Sequence, residues 1–250
     1  MSGFTFLRWQ SKNALINSIS LLSPDMGPKV LYYHDVFDSW KYYLHGTPFG
    51  LFRKHMEMLF REGWEIKTGL PDKGKECMLT FDDGFKGIWS CREYFYERAI
   101  RPTIFVAVDL IGGERYLSWK EIKELQEHGF IFEGHTWTHR RLTEVPRAEL
   151  QRELKDSRDC LSDRLGKEVT QLCFPQGRFN EDICKIAQDY GYKTFYSCIY
   201  GNADRRIIPN LVCRNLVQEV GTITFKAILN GGANPLWRRY YKQHCVPSID

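Results

Sequence analysis

Short apolar runs alternate with amphipathic stretches along most of the chain. Lys29 to Tyr33, Cys77 to Phe81, Thr103 to Val108, Phe130 to Gly134, Gln171 to Phe174 and Lys193 to Cys198 read as strands. Between them, Phe49 to Arg61 forms a helix with Phe52, Met56 and Leu59 or Phe60 inward, and Phe85 to Arg98 forms another. Ser118-Trp119-Lys120-Glu121 is a capping box opening a helix that closes at Gly129, with Ile122 and Leu125 on its inner face. Pro146 starts a long helix whose Leu150, Leu154, Leu161 and Leu165 form one stripe before Gly166, and a further helix runs from Glu181 to Tyr190. Regular β–α alternation demands a parallel sheet, and six or seven such units predict an α/β fold closed into a distorted (β/α) barrel. Catalytic groups in such barrels stand just after the strands, so those positions are the ones to inspect.

The organisation expected is a single domain: an N-terminal helix over residues 1–27, a barrel over 28–217 and a helical extension over 218–250. Leu15, Ile19 and Leu22, with Ile16 beside them, predict the face on which the first helix packs. Asn17, Ser18 and Ser20 interrupt that apolar stretch, which therefore reads as mature sequence rather than an export signal.

With 250 residues, 43% hydrophobic and 26% charged, the composition is that of a globular protein. Thirty-five basic residues against thirty-one acidic ones leave +4, which gives no reason to expect nucleic acid as a partner. No apolar run reaches the ~18 residues of a membrane span. Eight cysteines without a C-x-x-C pair are expected to be buried thiols of a cytoplasmic protein.

Two strand ends carry chemistry. The run ending at Phe81 delivers Asp82-Asp83-Gly84, which is either ordinary turn chemistry or a pair of acids pointing to different sides. The run ending at Gly134 delivers His135-Thr136-Trp137-Thr138-His139, two imidazoles four apart that can meet one metal if the segment turns helically. Together, one carboxylate and two imidazoles make a two-histidine, one-carboxylate site with open positions on a divalent metal, and they leave the other aspartate free as a base.

Thr80-Phe81-Asp82-Asp83-Gly84 and His135-Thr136-Trp137-Thr138-His139 resemble the first two motifs of the polysaccharide deacetylase family, the NodB-homology or carbohydrate esterase family 4 domain. The similarity runs from about Val30 to Val217. It implies Asp82 as catalytic base and Asp83, His135 and His139 as metal ligands. Phe174-Pro175-Gln176-Gly177 resembles the third motif, with Pro175 and Gln176 toward the substrate, but Cys173 stands where the family has an arginine that orients the base. A branch acting on poly-N-acetylglucosamine-type polymers also lacks that arginine. Arg214, in Cys213-Arg214-Asn215, is the candidate substitute on the substrate side, its alternative being a solvated charge. The same branch carries its acid on the first strand, and Val30-Leu31-Tyr32-Tyr33-His34 matches that arrangement, implying His34 as general acid.

The resemblance implies a metal-dependent hydrolase removing an N-acetyl group from an amino sugar. Zn²⁺ is the expected ion, with Co, Ni, Fe and Mn as alternatives. Cytoplasmic location points to a polysaccharide or lipid-linked glycan precursor, as in O-antigen-like surface polysaccharide biosynthesis. Two other readings stand beside it: hydrolysis of another amide, of deformylase or cyclic imidase type, and a catalytically silent glycan-binding domain. Tyr32, Tyr33, Trp137 and Phe174 are either sugar-stacking faces or core. The Trp237 to Lys242 segment is either a peripheral membrane contact or a helix packing Trp237 and Tyr241 on the barrel with its charges in water.

Overall fold

The computed structural model describes residues 3–246; the last four positions of the expected C-terminal extension lie outside them. Among these residues eleven strands run in chain order: β1 (Lys29–Tyr33), β2 (Val36–Phe37), β3 (Thr47–Pro48), β4 (Glu65–Lys67), β5 (Glu76–Phe81), β6 (Thr103–Val106), β7 (Ile131–Gly134), β8 (Gln171–Cys173), β9 (Thr194–Tyr196), β10 (Leu211–Val212) and β11 (Asn215–Leu216). Nine of them form one sheet in the order β10-β9-β8-β7-β6-β5-β1-β11, with β4 added beside β5, while β2 and β3 pair separately. Every ladder in the main sheet is parallel. The sheet has more strands than the apolar runs indicate because β4, β10 and β11 span only two or three residues.

The sheet curls without closing its ladder. Its edge strands, β10 and β11, are separated by only Cys213 and Arg214, so the seam of the barrel is spanned by the chain itself. Strand alternation divides the core into two layers. Val30, Met78, Phe105, Cys173, Tyr196 and Val212 pack inside the barrel. Their neighbours Leu31, Leu79, Ile104, Leu172, Phe195 and Leu211 join the larger core beneath the helices.

Nine α-helices are described: α1 (Gly3–Leu22), α2 (Phe49–Arg61), α3 (Gly87–Ser90), α4 (Arg92–Glu97), α5 (Trp119–Glu127), α6 (Ser157–Leu165), α7 (Glu181–Asp189), α8 (Thr222–Leu229) and α9 (Trp237–His244). The capping box at Ser118 and Glu121 is formed. The helix expected from Phe85 to Arg98 is split at Cys91 into α3 and α4. The one expected from Pro146 begins instead as a 3₁₀ turn (Arg147–Glu149), widens into a π-helical turn (Arg152–Asp156) and only then becomes α6. All four stripe leucines are still buried.

Helix α1 packs against α8, but not by the expected face. Asn13, Ile16 and Ser20, at i, i+3 and i+7, are buried, whereas Leu15 and Leu22 are exposed, so the face turned to α8 carries one apolar and two small polar side chains. Helix α9 rests Trp237 and Tyr241 on the core and exposes Arg238, Arg239 and Lys242. Among the described residues no helix is long and apolar enough to cross a membrane, and all eight cysteines are free.

Candidate active site

Asp82 continues the inward register of Met78 and Thr80 past the end of β5, so its carboxylate lies within the barrel mouth, 4% exposed. The next residue breaks the register. Asp83 takes φ +70° and Gly84 φ +72°, turning the two consecutive carboxylates apart at a cost of about 1–3 kcal/mol for the non-glycine residue. Gly84 is also required by space, since a Cβ there would lie 2.8 Å from Val106 Cγ1.

Arg214 grips Asp82. Nη1 donates to Oδ1 at 2.7 Å and Nη2 to Oδ2 at 2.8 Å. The remaining guanidinium hydrogens go to the Ser197 carbonyl (3.0 Å), Thr80 Oγ1 (3.3 Å) and Cys173 Sγ (3.1 Å). The Tyr32 ring lies 4.3 Å from the guanidinium carbon, with Phe105 and Tyr196 further out. Burial pushes the Asp82 pKa up, but the charge and hydrogen bonds of Arg214 outweigh it and leave it below the ordinary value. Arg214 is wholly buried. It is neither a solvated charge nor a substrate contact, because its position two residues after inward-facing Val212 sends it into the barrel.

Asp83 faces the histidines. Its Oδ1 lies 3.1 Å from His135 Nε2 and 3.0 Å from His139 Nε2. The His135–His139 segment is not the helical turn that its spacing suggests. Thr136 and His139 adopt φ +70° and +60°, and the loop folds back so that both rings reach one oxygen. His135 Nδ1 is 2.6 Å from the Cys173 carbonyl. A carbonyl only accepts, so Nδ1 carries the proton and Nε2 turns a lone pair toward Asp83. In the neutral rings a lone pair and a carboxylate oxygen at that separation repel unless a cation stands between them, and among the described residues no other donor reaches Asp83 Oδ1. Two imidazole nitrogens and one carboxylate oxygen form a donor set suited to a divalent metal. Asp82, His135 and Cys173 also cluster, but the Cys173 thiol takes a hydrogen bond from Arg214, burial holds its pKa well above the ordinary value, and the guanidinium repels cations. Burial raises the Asp83 pKa, but with no cation between them the two histidines in their protonated form donate to Oδ1, reverse this and hold it well below the ordinary value; burial lowers the His139 pKa, and Asp83 reverses that.

His34 stands at the end of β1, where its charge acts on both aspartates. Nδ1 donates to Gln218 Oε1 at 2.7 Å, and the ring stacks on Tyr43 at 4.9 Å. The Tyr43 segment is tied to the same strand end through Asp35, whose Oδ2 accepts from Tyr42 N and Tyr43 N at 3.2 and 3.3 Å. Gln218, Tyr43 and Asp35 escape a reading by motif. Pro175 is buried, and Gln176, at φ +55°, is exposed with its amide oxygen 2.6 Å from Arg141 Nε. Tyr32, Tyr33 and Phe174 belong to the core, while half-buried Trp137 donates its indole N–H to Asp109.

A parallel barrel whose strand ends join an arginine-held carboxylate to a carboxylate–imidazole trio defines the class, and the chain belongs to the polysaccharide deacetylase family, whose sequence model matches residues 69–195. It is similar to YxkH of Bacillus subtilis (strain 168), a protein assigned to the polysaccharide deacetylases, with 28% identity over 165 residues, 62% of this chain and 59% of that one. The chain thus spans about six tenths of that relative's length. Its fold is similar to those of BC0361, a polysaccharide deacetylase from Bacillus cereus (TM-score 0.72, 23% identity, 81% of this chain and 69% of that one), and IcaB from Ammonifex degensii (0.70, 21%, 83% and 97%).

Proposed function

We propose that the protein is a divalent-metal-dependent hydrolase that removes the N-acetyl group of an amino sugar in a polysaccharide or lipid-linked glycan precursor. The observation that carries this reading is the division of labour between adjacent acids, Asp82 held by Arg214 and Asp83 facing two imidazoles. Asp83, His135 and His139 hold the cation, Zn²⁺ being favoured by the nitrogen-rich donor set. When bound, the cation supplies Lewis acidity to the acyl carbonyl and its attacking water.

Asp82 takes the proton of that water. Its bond to Arg214 keeps it ionised and fixes its free lone pairs toward the mouth of the barrel. His34, oriented through Nδ1 by Gln218, delivers a proton from Nε2 to the departing amine. Water adds to the acyl carbon, the C–N bond breaks, and an acid and an amine leave.

The position of His34 on the first strand and the supply of Arg214 from the seam support kinship with the branch whose acid lies on the first strand. The eight free thiols fit a reducing compartment, and with it a glycan precursor of surface polysaccharide synthesis.

Metal content and acetate release test this. Wild type is expected to carry about one equivalent of metal and to release acetate from N-acetylated oligosaccharides or lipid-linked glycans. Asp83→Ala should lose the metal, and Asp82→Asn should keep it while acetate release disappears. Bound metal with no acyl product from any such substrate would overturn the hydrolase in favour of glycan binding.

A further inference from the structure

The loop that carries His139 is folded around a buried carboxylate from another element. Glu153 belongs to the π-helical turn Arg152–Asp156 and is 2% exposed. Among the described residues no cation lies within ion-pairing distance of it. Its Oε2 accepts the backbone N–H of Trp137 at 3.1 Å and of Thr138 at 3.0 Å, and its Oε1 accepts the Thr138 hydroxyl.

Two successive N–H groups aimed at one oxygen form a nest, a backbone concavity that binds anions. Left-handed residues flank this one, Thr136 at φ +70° and His139 at φ +60°. Thr136 Oγ1 also accepts His139 N at 3.1 Å, closing the turn. The wide π turn buries two consecutive side chains, Leu154 in the core and Glu153 under the loop.

The two histidines are held by different means. His135 is pinned through Nδ1 by the Cys173 carbonyl. Among the described residues no hydrogen bond fixes His139 Nδ1, so the distance of its ring from Asp83 is set by the loop backbone.

We propose that Glu153 is a positioning residue, the acceptor held in the nest, which imposes the left-handed turns that hold His139 Nε2 against Asp83 and thereby sets the cation affinity of the trio. It touches neither cation nor substrate. This rests on the reading of Asp83, His135 and His139 as a cation site.

The test is Zn²⁺ affinity of the folded apoprotein, titrated against a chromophoric chelator well below the unfolding temperature, with thermal unfolding recorded alongside. Glu153→Gln keeps the shape but not the charge, and Glu153→Asp keeps the charge on a shorter arm. Glu149→Gln removes an exposed acid of the same region as a control. Both Glu153 variants are expected to bind Zn²⁺ about 10–100-fold more weakly, with the control unchanged. A residue that serves only stability would shift the melting temperature and leave the affinity of the folded protein intact, and that result overturns the proposal. Wild-type Zn²⁺ binding that does not depend on Asp83 would overturn the cation-site reading and this proposal together, whereas Asp83-dependent binding with unchanged affinity in both variants overturns this one alone.

Discussion

Arg214 and Asp82, 132 residues apart, meet through two parallel hydrogen bonds inside the barrel. Removing one member of such a buried pair leaves an uncompensated charge, which costs about 3–5 kcal/mol. Arg214→Met should therefore unfold at markedly lower urea concentration. Without the charge and hydrogen bonds of Arg214, its strongest lowering influences, the Asp82 pKa rises, so the acid limb of the pH–rate profile should move upward. Arg214→Lys keeps the charge but not the two-pronged geometry, and should restore stability better than rate.

His55 supplies the acid sensitivity of the fold. Its Nε2 donates to the Val220 carbonyl, its Nδ1 accepts from the Tyr33 hydroxyl, and burial pushes its pKa down from 6.5 to about 4. The unfolded chain takes up this proton more readily, so the stabilisation is complete above pH 6.5 and is lost as pH falls toward 4, by about 3 kcal/mol. His244 acts in the same direction. Asp35 opposes them: burial raises its pKa to about 6, so its contribution weakens as pH rises from 3.8 to 6. Urea denaturation from pH 4 to 7 should show stability rising, with a shallower slope in His55→Asn; an identical slope would refute the assignment.

Gln218 is expected to matter through His34 alone. Gln218→Leu should lower kcat with metal content unchanged, because it frees the imidazole to rotate. Gln218→Glu places a charged acceptor at the same distance and holds the Nδ1 proton more tightly, so the alkaline limb of the pH–rate profile should move to higher pH.

Much of this was legible in the chain. The apolar runs give the strands, and the Asp-Asp-Gly and His-x-x-x-His segments at their ends are neighbours in space. Gln218 and Glu153 were not legible, since no periodicity marks the pairing of Gln218 with His34 across 184 residues or of Glu153 with the Thr138 backbone across 15. Arg214 could have been placed by counting two residues on from Val212, but a charged residue beside a strand of two residues leaves that register unread. The π turn is equally silent, because the leucine stripe remains buried with or without it.

Gly87 is a demand of close approach rather than of φ. A Cβ there would sit 2.0 Å from the Val36 carbonyl oxygen and 2.1 Å from Asp35 Oδ1. Gly87→Ala should destabilise the protein by about 1–3 kcal/mol and, by displacing Asp35, loosen the segment that presents Tyr43 to His34. Thermal unfolding together with KM measurements will show both effects.

The seam also dictates an order of assembly. β1 is among the first strands to be synthesised, yet one of its neighbours, β11, is the last strand of the sheet. Asp82 reaches its place in the barrel long before the arginine that neutralises it has been made. A nascent chain that stops short of residue 214 is left with an open edge beside β1 and a lone acid in its mouth, so burial of the Asp82 carboxylate and completion of the sheet become a single late event.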